Sequence, residues 1–452
     1  MRPLTYALFM VCLLTSVGVK RLPAQDSATS VPTIKTNVRQ VLVPAVVTGK
    51  NGRPVSNLEE SDFTVFEDDV PQHIAAFSKT YDPSLEISSP PVARGSTPSS
   101  KPVSPARIGP DSPTRTYLVC VDTLHSNLGN VAEARHALKK FFEHEHDAKA
   151  QYALMNLSRQ IDVVQDSTRD PSLVLSALGS KKFQSSILHG EASSIAADGE
   201  TLRRMLERFS PEACKLPVTR ERGTVPDYCS DMKRETQLFI TKSAERTALL
   251  TRAFLQEMKT IISVMAAMPT QRTLILISDG FNLVPGRELF GIASAYFPDD
   301  PEWRFNQRDT QSELDELLRL AQKDSVIVYA LDSRGLYTPA STGLGDPSHR
   351  GNGDWTHNNQ MIDMMKNEDT IAWENGSAMA QLAAATGGIY FENNNDLLAG
   401  IRRAFDDERE RYLIAYTPSN ESADGKYRKI RVTVKDKNLR VDAKAGYWAT
   451  AN

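Results

Sequence analysis

The feature that most constrains the fold is an alternation of buried-type strands and amphipathic helices in the middle of this 452-residue chain. Thr116–Val121, Thr273–Ser278 and Val326–Leu331 are mostly apolar or β-branched, as is typical of strands covered on both faces. Between them, apolar residues recur at helical spacing. The pattern predicts an α/β domain over residues 116–408, with a doubly wound, mostly parallel sheet.

Both chain ends carry strand patterns without helices. Three short strands are predicted within residues 34–79, with a turn at Asn51-Gly52, and three more within residues 411–448. Neither set has enough strands to bury a face alone. We therefore expect the two halves to pair as one small β domain formed by both chain ends.

Three other segments differ in composition from their surroundings. Residues 80–115 are rich in Pro and Ser, which predicts a linker. Residues 180–235 are polar and predict an insertion with one short helix near Leu202–Phe209. Residues 336–375 are rich in Gly, Asn and Asp and predict a second, loop-like insertion.

The N-terminus predicts export. A basic start is followed by the apolar run Leu4–Val19, which is shorter than the roughly 20 residues that span a bilayer. We interpret residues 1–24 as a signal peptide, leaving a secreted or periplasmic chain without a membrane span. The alternative is an uncleaved anchor, because Lys20-Arg21 is an unusual flank. Loss of Arg2, Lys20 and Arg21 takes the net charge from −3 to −6, which argues against binding to nucleic acid.

The cysteines suggest one disulfide. Cys120 lies in an apolar strand, where a free buried thiol is expected. Cys214 and Cys229 lie in a polar stretch that we interpret as a loop, and an oxidising compartment favours their pairing. Two free thiols are the alternative. No cysteine or histidine spacing indicates a zinc site.

Two acidic residues follow strands whose carboxyl ends should share one edge of the sheet, where ligands of doubly wound folds bind. They are Asp122 and Asp279. Asp122 with Ser126, and Ser278-Asp279-Gly280, resemble the von Willebrand factor A fold. In that fold an Asp-x-Ser-x-Ser loop, a threonine and a second aspartate form a metal-ion-dependent adhesion site.

The resemblance implies Asp122, Ser126, Asp279 and Thr168 as metal ligands, although Ser167 serves equally well in place of Thr168. The middle serine of the loop is replaced by Leu124, which cannot ligate. Because Mg²⁺ prefers oxygen ligands in an octahedral arrangement, at most weak Mg²⁺ or Mn²⁺ binding is expected. The favoured alternative is that both aspartates only cap loops and helix ends.

A wider resemblance covers most of the mature chain. The chain is similar to the bacterial VWFA-related domain family. This resemblance implies an exported protein of this fold and does not indicate which ligand it binds. The matching motifs include Val65-Phe66-Glu67-Asp68, Ala330-Leu331-Asp332-Ser333-Arg334-Gly335-Leu336, Ala385-Thr386-Gly387-Gly388, Tyr416-Thr417-Pro418, Gly425-Lys426-Tyr427-Arg428-Lys429-Ile430 and Gly446-Tyr447.

Enzyme signatures are weak. A phosphatase of the haloacid dehalogenase type needs a second aspartate where Leu124 stands, and His125 beside Ser126 has no Gly-x-Ser-x-Gly context. No phosphate-binding glycine loop occurs either. We expect a non-catalytic protein-binding module, of adhesion or scaffold type, with an unknown protein partner. The alternative is an envelope structural protein whose α/β domain binds no metal, with a hydrolase ranking lower.

Overall fold

The computed structural model describes residues 40–79, 113–187, 191–207, 228–296, 309–336 and 375–449. The expected signal peptide (1–24), nearly all of the linker (80–115) and nearly all of the second insertion (336–375) lie outside these residues. Among the described residues, no helix is both long enough and apolar enough to cross a bilayer.

A six-stranded sheet forms the centre of the molecule, in the order β10-β9-β8-β5-β6-β7. Neighbouring strands are parallel except for β7, which pairs antiparallel with β6 at the edge. The inner strands are almost completely buried because helices cover both faces. The strands are β5 (Arg115–Asp122), β6 (Ala150–Leu157), β7 (Ile161–Thr168), β8 (Gln271–Ser278), β9 (Val326–Asp332) and β10 (Tyr390–Phe391).

Each face of the sheet has its own apolar core. The core on one face includes side chains of α5, α7 and α8, and that on the other includes side chains of α1, α2 and α9. The helices are α1 (Leu128–Phe142), α2 (Pro171–Leu178), α3 (Lys181–Ile187), α4 (Ala192–Glu207), α5 (Tyr228–Ala266), α6 (Arg287–Tyr296), α7 (Gln311–Lys323), α8 (375–386) and α9 (Leu397–Arg409).

The two chain ends pair with each other. One four-stranded sheet has the order β13-β1-β11-β4 and the other β14-β12-β2-β3, so both mix strands from the two ends. A third apolar core contains side chains from both of these sheets. The strands are β1 (Val41–Thr48), β2 (Phe63–Glu67), β3 (Val70–Gln72), β4 (Ile74–Ser78), β11 (Tyr412–Tyr416), β12 (Tyr427–Val434), β13 (Arg440–Ala443) and β14 (Gly446–Trp448), with a 3-10 turn at Glu60–Asp62.

This architecture confirms the predicted fold class, a doubly wound, mostly parallel sheet with a small β domain formed by both chain ends.

A buried glutamate links the two four-stranded sheets of the β domain. Glu67, on β2, accepts hydrogen bonds from the hydroxyls of Tyr416 (2.6 Å) and Tyr447 (3.0 Å). These bonds offset the cost of burying a carboxylate.

Residues 180–235 contain more helix than the single short helix that was predicted near Leu202–Phe209. Helices α3 and α4 occupy much of this segment, and α5 begins at Tyr228 rather than beyond residue 235. Helices α4, α5 and α6 share a small apolar cluster that includes Leu202, Ile240 and Leu289. The segment therefore has packed helical structure of its own.

Candidate functional site

The carboxyl ends of β5, β8 and β9 meet at one edge of the central sheet, which we call the rim. Asp122 ends β5 and Ser278 ends β8, and Ser278 lies opposite Asp332 at the end of β9. Asp279 follows β8 directly. The structure therefore brings Asp122 and Asp279 to the same edge, as the parallel strands require.

The carboxylate of Asp122 is buried, and hydrogen bonds from the protein engage both of its oxygens. Oδ1 accepts bonds from the backbone N–H groups of Leu124 (2.9 Å) and His125 (3.0 Å). Oδ2 accepts a bond of 2.7 Å from the Ser278 hydroxyl and lies 3.1 Å from His125 Nδ1. Asp122 thus closes its own loop and ties that loop to β8.

Asp279 is held in the same way, at the start of α1. Its carboxylate accepts bonds from the backbone N–H of Asn127 (2.9 Å), the side-chain amide of Asn130 (2.9 Å) and the hydroxyl of Ser333 (2.7 Å). A carboxylate at a helix N-terminus is favoured by the helix dipole. Burial, together with the charge of Asp122, nevertheless raises the pKa of Asp279 above its usual value, against the lowering effect of its donors.

Ser126 also lies at the rim, and its oxygen is already engaged. Its Oγ accepts a bond of 2.9 Å from the backbone N–H of Asp279. Gly280, which follows Asp279, adopts a positive φ of 86°. A Cβ there would lie 2.5 Å from the backbone oxygen of Asn375 in α8, so both its conformation and its close approach to α8 require glycine.

Leu124 belongs to the apolar core and not to a ligand shell. Its side chain is fully buried in the same cluster as Phe254 and Phe281. Its backbone N–H donates both to Asp122 and to the carbonyl of Leu157 (3.0 Å). The residue at the expected serine position therefore stabilises the loop by packing.

Thr168 is not at the rim, and its placement in the metal site was wrong. Because β7 runs antiparallel to β6, Thr168 pairs with Tyr152 near the start of β6, whereas Asp122 pairs with Leu157 at its end. Five residues of strand separate these positions, or roughly 17 Å at about 3.3 Å per residue. Thr168 Oγ1 instead accepts a bond of 3.1 Å from the backbone of Asp170 before α2.

These residues do not fit a Mg²⁺ site. The oxygens of Asp122, Ser126 and Asp279 already accept hydrogen bonds from the protein, and a metal would have to displace several donors. Within the described ranges, no three His, Cys, Asp or Glu side chains are grouped as metal ligands.

Sequence reasoning missed a second polar cluster at this edge. Glu257 lies on α5, and burial together with the charges of Asp122 and Asp162 raises the pKa of its carboxyl to about 7. In the described part of the chain, neither Glu257 Oε2 nor His125 Nε2 has a hydrogen-bond partner. Glu257 lies in the middle of a long helix, far in sequence from Asp122, so no local motif marks it.

Sequence reasoning also gave no role to the end of β9. The side chain of Arg334 donates hydrogen bonds to both carboxylate oxygens of Asp332, from Nε to Oδ1 (2.9 Å) and from Nη2 to Oδ2 (2.6 Å), and the Tyr390 hydroxyl donates to the same carboxylate (3.2 Å). The motif Asp332-Ser333-Arg334-Gly335 was a usable signal, because it directly follows a buried strand. These bonds fix the loop that brings Ser333 to Asp279.

The cysteines are placed only in part. Cys120 is a buried free thiol, as predicted, and burial raises its pKa well above the usual range. Cys214 lies outside the described residues. Cys229 falls in the first turn of α5 and not in a loop, and its pairing with Cys214 stays a prediction.

Comparison with known proteins gives no family. No protein-family model and no curated protein match this chain. Similar solved structures include an aerotolerance-related membrane protein from Bacteroides fragilis (13% identity, 65% of this chain and 98% of that chain, TM-score 0.27). Others are the conserved hypothetical protein BatB from Bacteroides thetaiotaomicron (12%, 64% and 96%, 0.24) and proximal thread matrix protein 1 from the mussel byssus (11%, 68% and 49%, 0.27). Similarities this weak carry no argument about function.

Proposed function

We propose that this chain is an exported, non-catalytic protein-binding module that holds its partner at the rim without a divalent cation. The observation that carries the proposal is the engagement of both rim aspartates by internal hydrogen bonds. A carboxylate bound in this way is a poor metal ligand and a poor nucleophile. It is, however, a good support for a rigid surface.

Two large apolar side chains stand beside this support. Leu128 follows Asn127, which binds Asp279, and Leu336 comes three residues after Ser333, which also binds Asp279. The two leucines are 57% and 59% exposed. Exposed apolar groups on a rigid scaffold favour contact with a protein partner, because burial of the exposed part of each leucine contributes about 1–2 kcal/mol.

The N-terminal pattern supports export, and the resemblance to the bacterial VWFA-related domain family agrees with it. A hydrolytic function has little support at the rim. The side chain of His125 is only 6% exposed and packs edge-on against Phe254, with ring centroids 4.9 Å apart.

The test is capture of a partner from the native cell envelope by the immobilised mature chain. We expect the wild-type chain to capture the same set of proteins with and without EDTA. Each of the variants Leu128→Asp and Leu336→Asp should fail to capture that set. Leu173→Asp is the matched control. Leu173 is 47% exposed but lies on α2, which follows Thr168 at the opposite edge of the sheet.

Two outcomes contradict the proposal. Loss of capture in EDTA and its recovery with Mg²⁺ would show that a cation is required. Equal capture by all three variants would exclude the rim and favour a scaffold whose β domain makes the contacts.

A further inference from the structure

A small cavity lies at the opposite edge of the central sheet from the rim. It is lined by Gln271 and Val326, the first residues of β8 and β9, and by Leu42 and Leu413 of the β domain. The space for water-sized molecules is about 40 Å³. Since one water molecule occupies roughly 10–15 Å³ of such space, the cavity holds about three waters or a ligand of similar size.

One of the residues that line this cavity is a lysine, Lys444. Lys444 lies between β13 and β14 and is only 8% exposed. Among the described residues, no carboxylate forms an ion pair with it, and the ring of Tyr447 lies 5.9 Å from its Nζ. Burial lowers the pKa of Lys444 to about 8, so at neutral pH most molecules carry an unpaired ammonium.

The other cation at the cavity is already bound. Arg411 donates to the carboxylate of Glu408, to the carbonyl of Gly387 (3.1 Å) and to the hydroxyl of Tyr329 (2.7 Å). Its charge is therefore offset by Glu408, and it supplies little to a ligand. Lys444 is the cation that the surrounding side chains leave unsatisfied.

Another residue that lines the cavity, Gln322, carries an unsatisfied acceptor. Gln322 uses its side-chain N–H groups on the carbonyls of Ala385 (2.7 Å) and Gly446 (3.0 Å). Its Oε1 is buried and has no donor in the described part of the chain. A buried polar group without a partner is costly, and the residues that line the cavity include one cation without an ion pair and one acceptor without a donor in the described part of the chain.

We propose that this cavity binds a small carboxylate that carries a hydrogen-bond donor, such as a short hydroxy acid. The carboxylate pairs with the Lys444 ammonium, and the hydroxyl donates to Gln322 Oε1. The apolar walls at Leu42, Val326 and Leu413 limit the ligand to a few heavy atoms. This binding is independent of the partner surface at the rim.

The experiment compares thermal unfolding of the mature chain in glycolate, acetate and chloride at equal ionic strength. A ligand that binds the folded chain raises its Tm with concentration. We expect glycolate to raise Tm more than acetate, and acetate more than chloride. Lys444→Met should abolish these differences, and Lys437→Met, which removes an exposed lysine from a nearby turn, should leave them unchanged.

Lys444→Met removes the buried charge and keeps an unbranched side chain that is one atom shorter than lysine, so the variant is expected to fold. Equal shifts in the wild type and in Lys444→Met would overturn the proposal, as would the absence of any difference among the three salts. Saturation-transfer NMR on glycolate, with Lys444→Met beside the wild type, provides a second readout that does not depend on stability.

Discussion

The unpaired ammonium of Lys444 should make the folded chain less stable than it would be with an uncharged side chain. Its pKa is lowered from 10.5 to about 8 by burial. One unit of pKa corresponds to about 1.4 kcal/mol, so the charged form is disfavoured in the fold by roughly 3 kcal/mol. Lys444→Met should therefore raise the free energy of unfolding by up to about 3 kcal/mol at neutral pH.

The pH dependence has a defined sign. Since the folded pKa is lower than the unfolded one, the unfolded chain binds more protons between about pH 8 and pH 10.5, and stability rises with pH in that window. The destabilisation of the fold by charged Lys444 is complete below about pH 8 and disappears above about pH 10.5. The advantage of Lys444→Met should shrink over the same range.

The assay is equilibrium unfolding in urea at a series of pH values, without added carboxylates. The difference between Lys444→Met and the wild type isolates Lys444 from other groups that titrate at high pH, and Lys437→Met is the control. A variant that is less stable at neutral pH, or a difference that does not change with pH, would refute the reasoning.

Three further predictions concern the loop, a glycine and the cysteines. Leu124→Ser should lower the free energy of unfolding by about 2–5 kcal/mol, because it opens a cavity in the core. It should also leave Tm independent of Mg²⁺, and a Mg²⁺-dependent rise in Tm in the wild type or in this variant would contradict a cation-free rim. Gly388→Ala should strongly reduce Tm and soluble yield, because the added Cβ would lie 2.0 Å from the carbonyl oxygen of Val328; an unchanged Tm by circular dichroism would contradict this. Cys214 and Cys229 should be paired in natively exported protein, and mass spectrometry that finds both alkylated without reductant would exclude the bond.

The buried strands were predictable to within two residues at each end. Thr273–Ser278 was expected and Gln271–Ser278 is found, and Val326–Leu331 was expected where Val326–Asp332 is found. A strand covered on both faces must be continuously apolar, so its composition alone marks it. The same argument placed Asp122 and Asp279 at one edge.

The first half of α5 was not predictable from apolar periodicity. Its buried positions include Thr236 and Ser243, which are small or polar residues. In the sequence they are not distinguishable from residues of a solvated loop. Only the arrangement of α4 and α6 makes this part of the helix an internal element.

The sequence by itself determined the alternation of strands and helices, the two strand-rich ends and the acidic residues at the strand ends, because each depends on local spacing and composition. Tertiary structure decided the rest. The full length of β7, which extends to Thr168, placed that residue at the far edge, and hydrogen bonds from distant residues engaged the oxygens of Asp122 and Asp279. Lys444 is an ordinary lysine in the sequence, and it lacks a counter-ion only because distant strands enclose it. Whether a charge is paired depends on long-range contacts, which no local pattern contains.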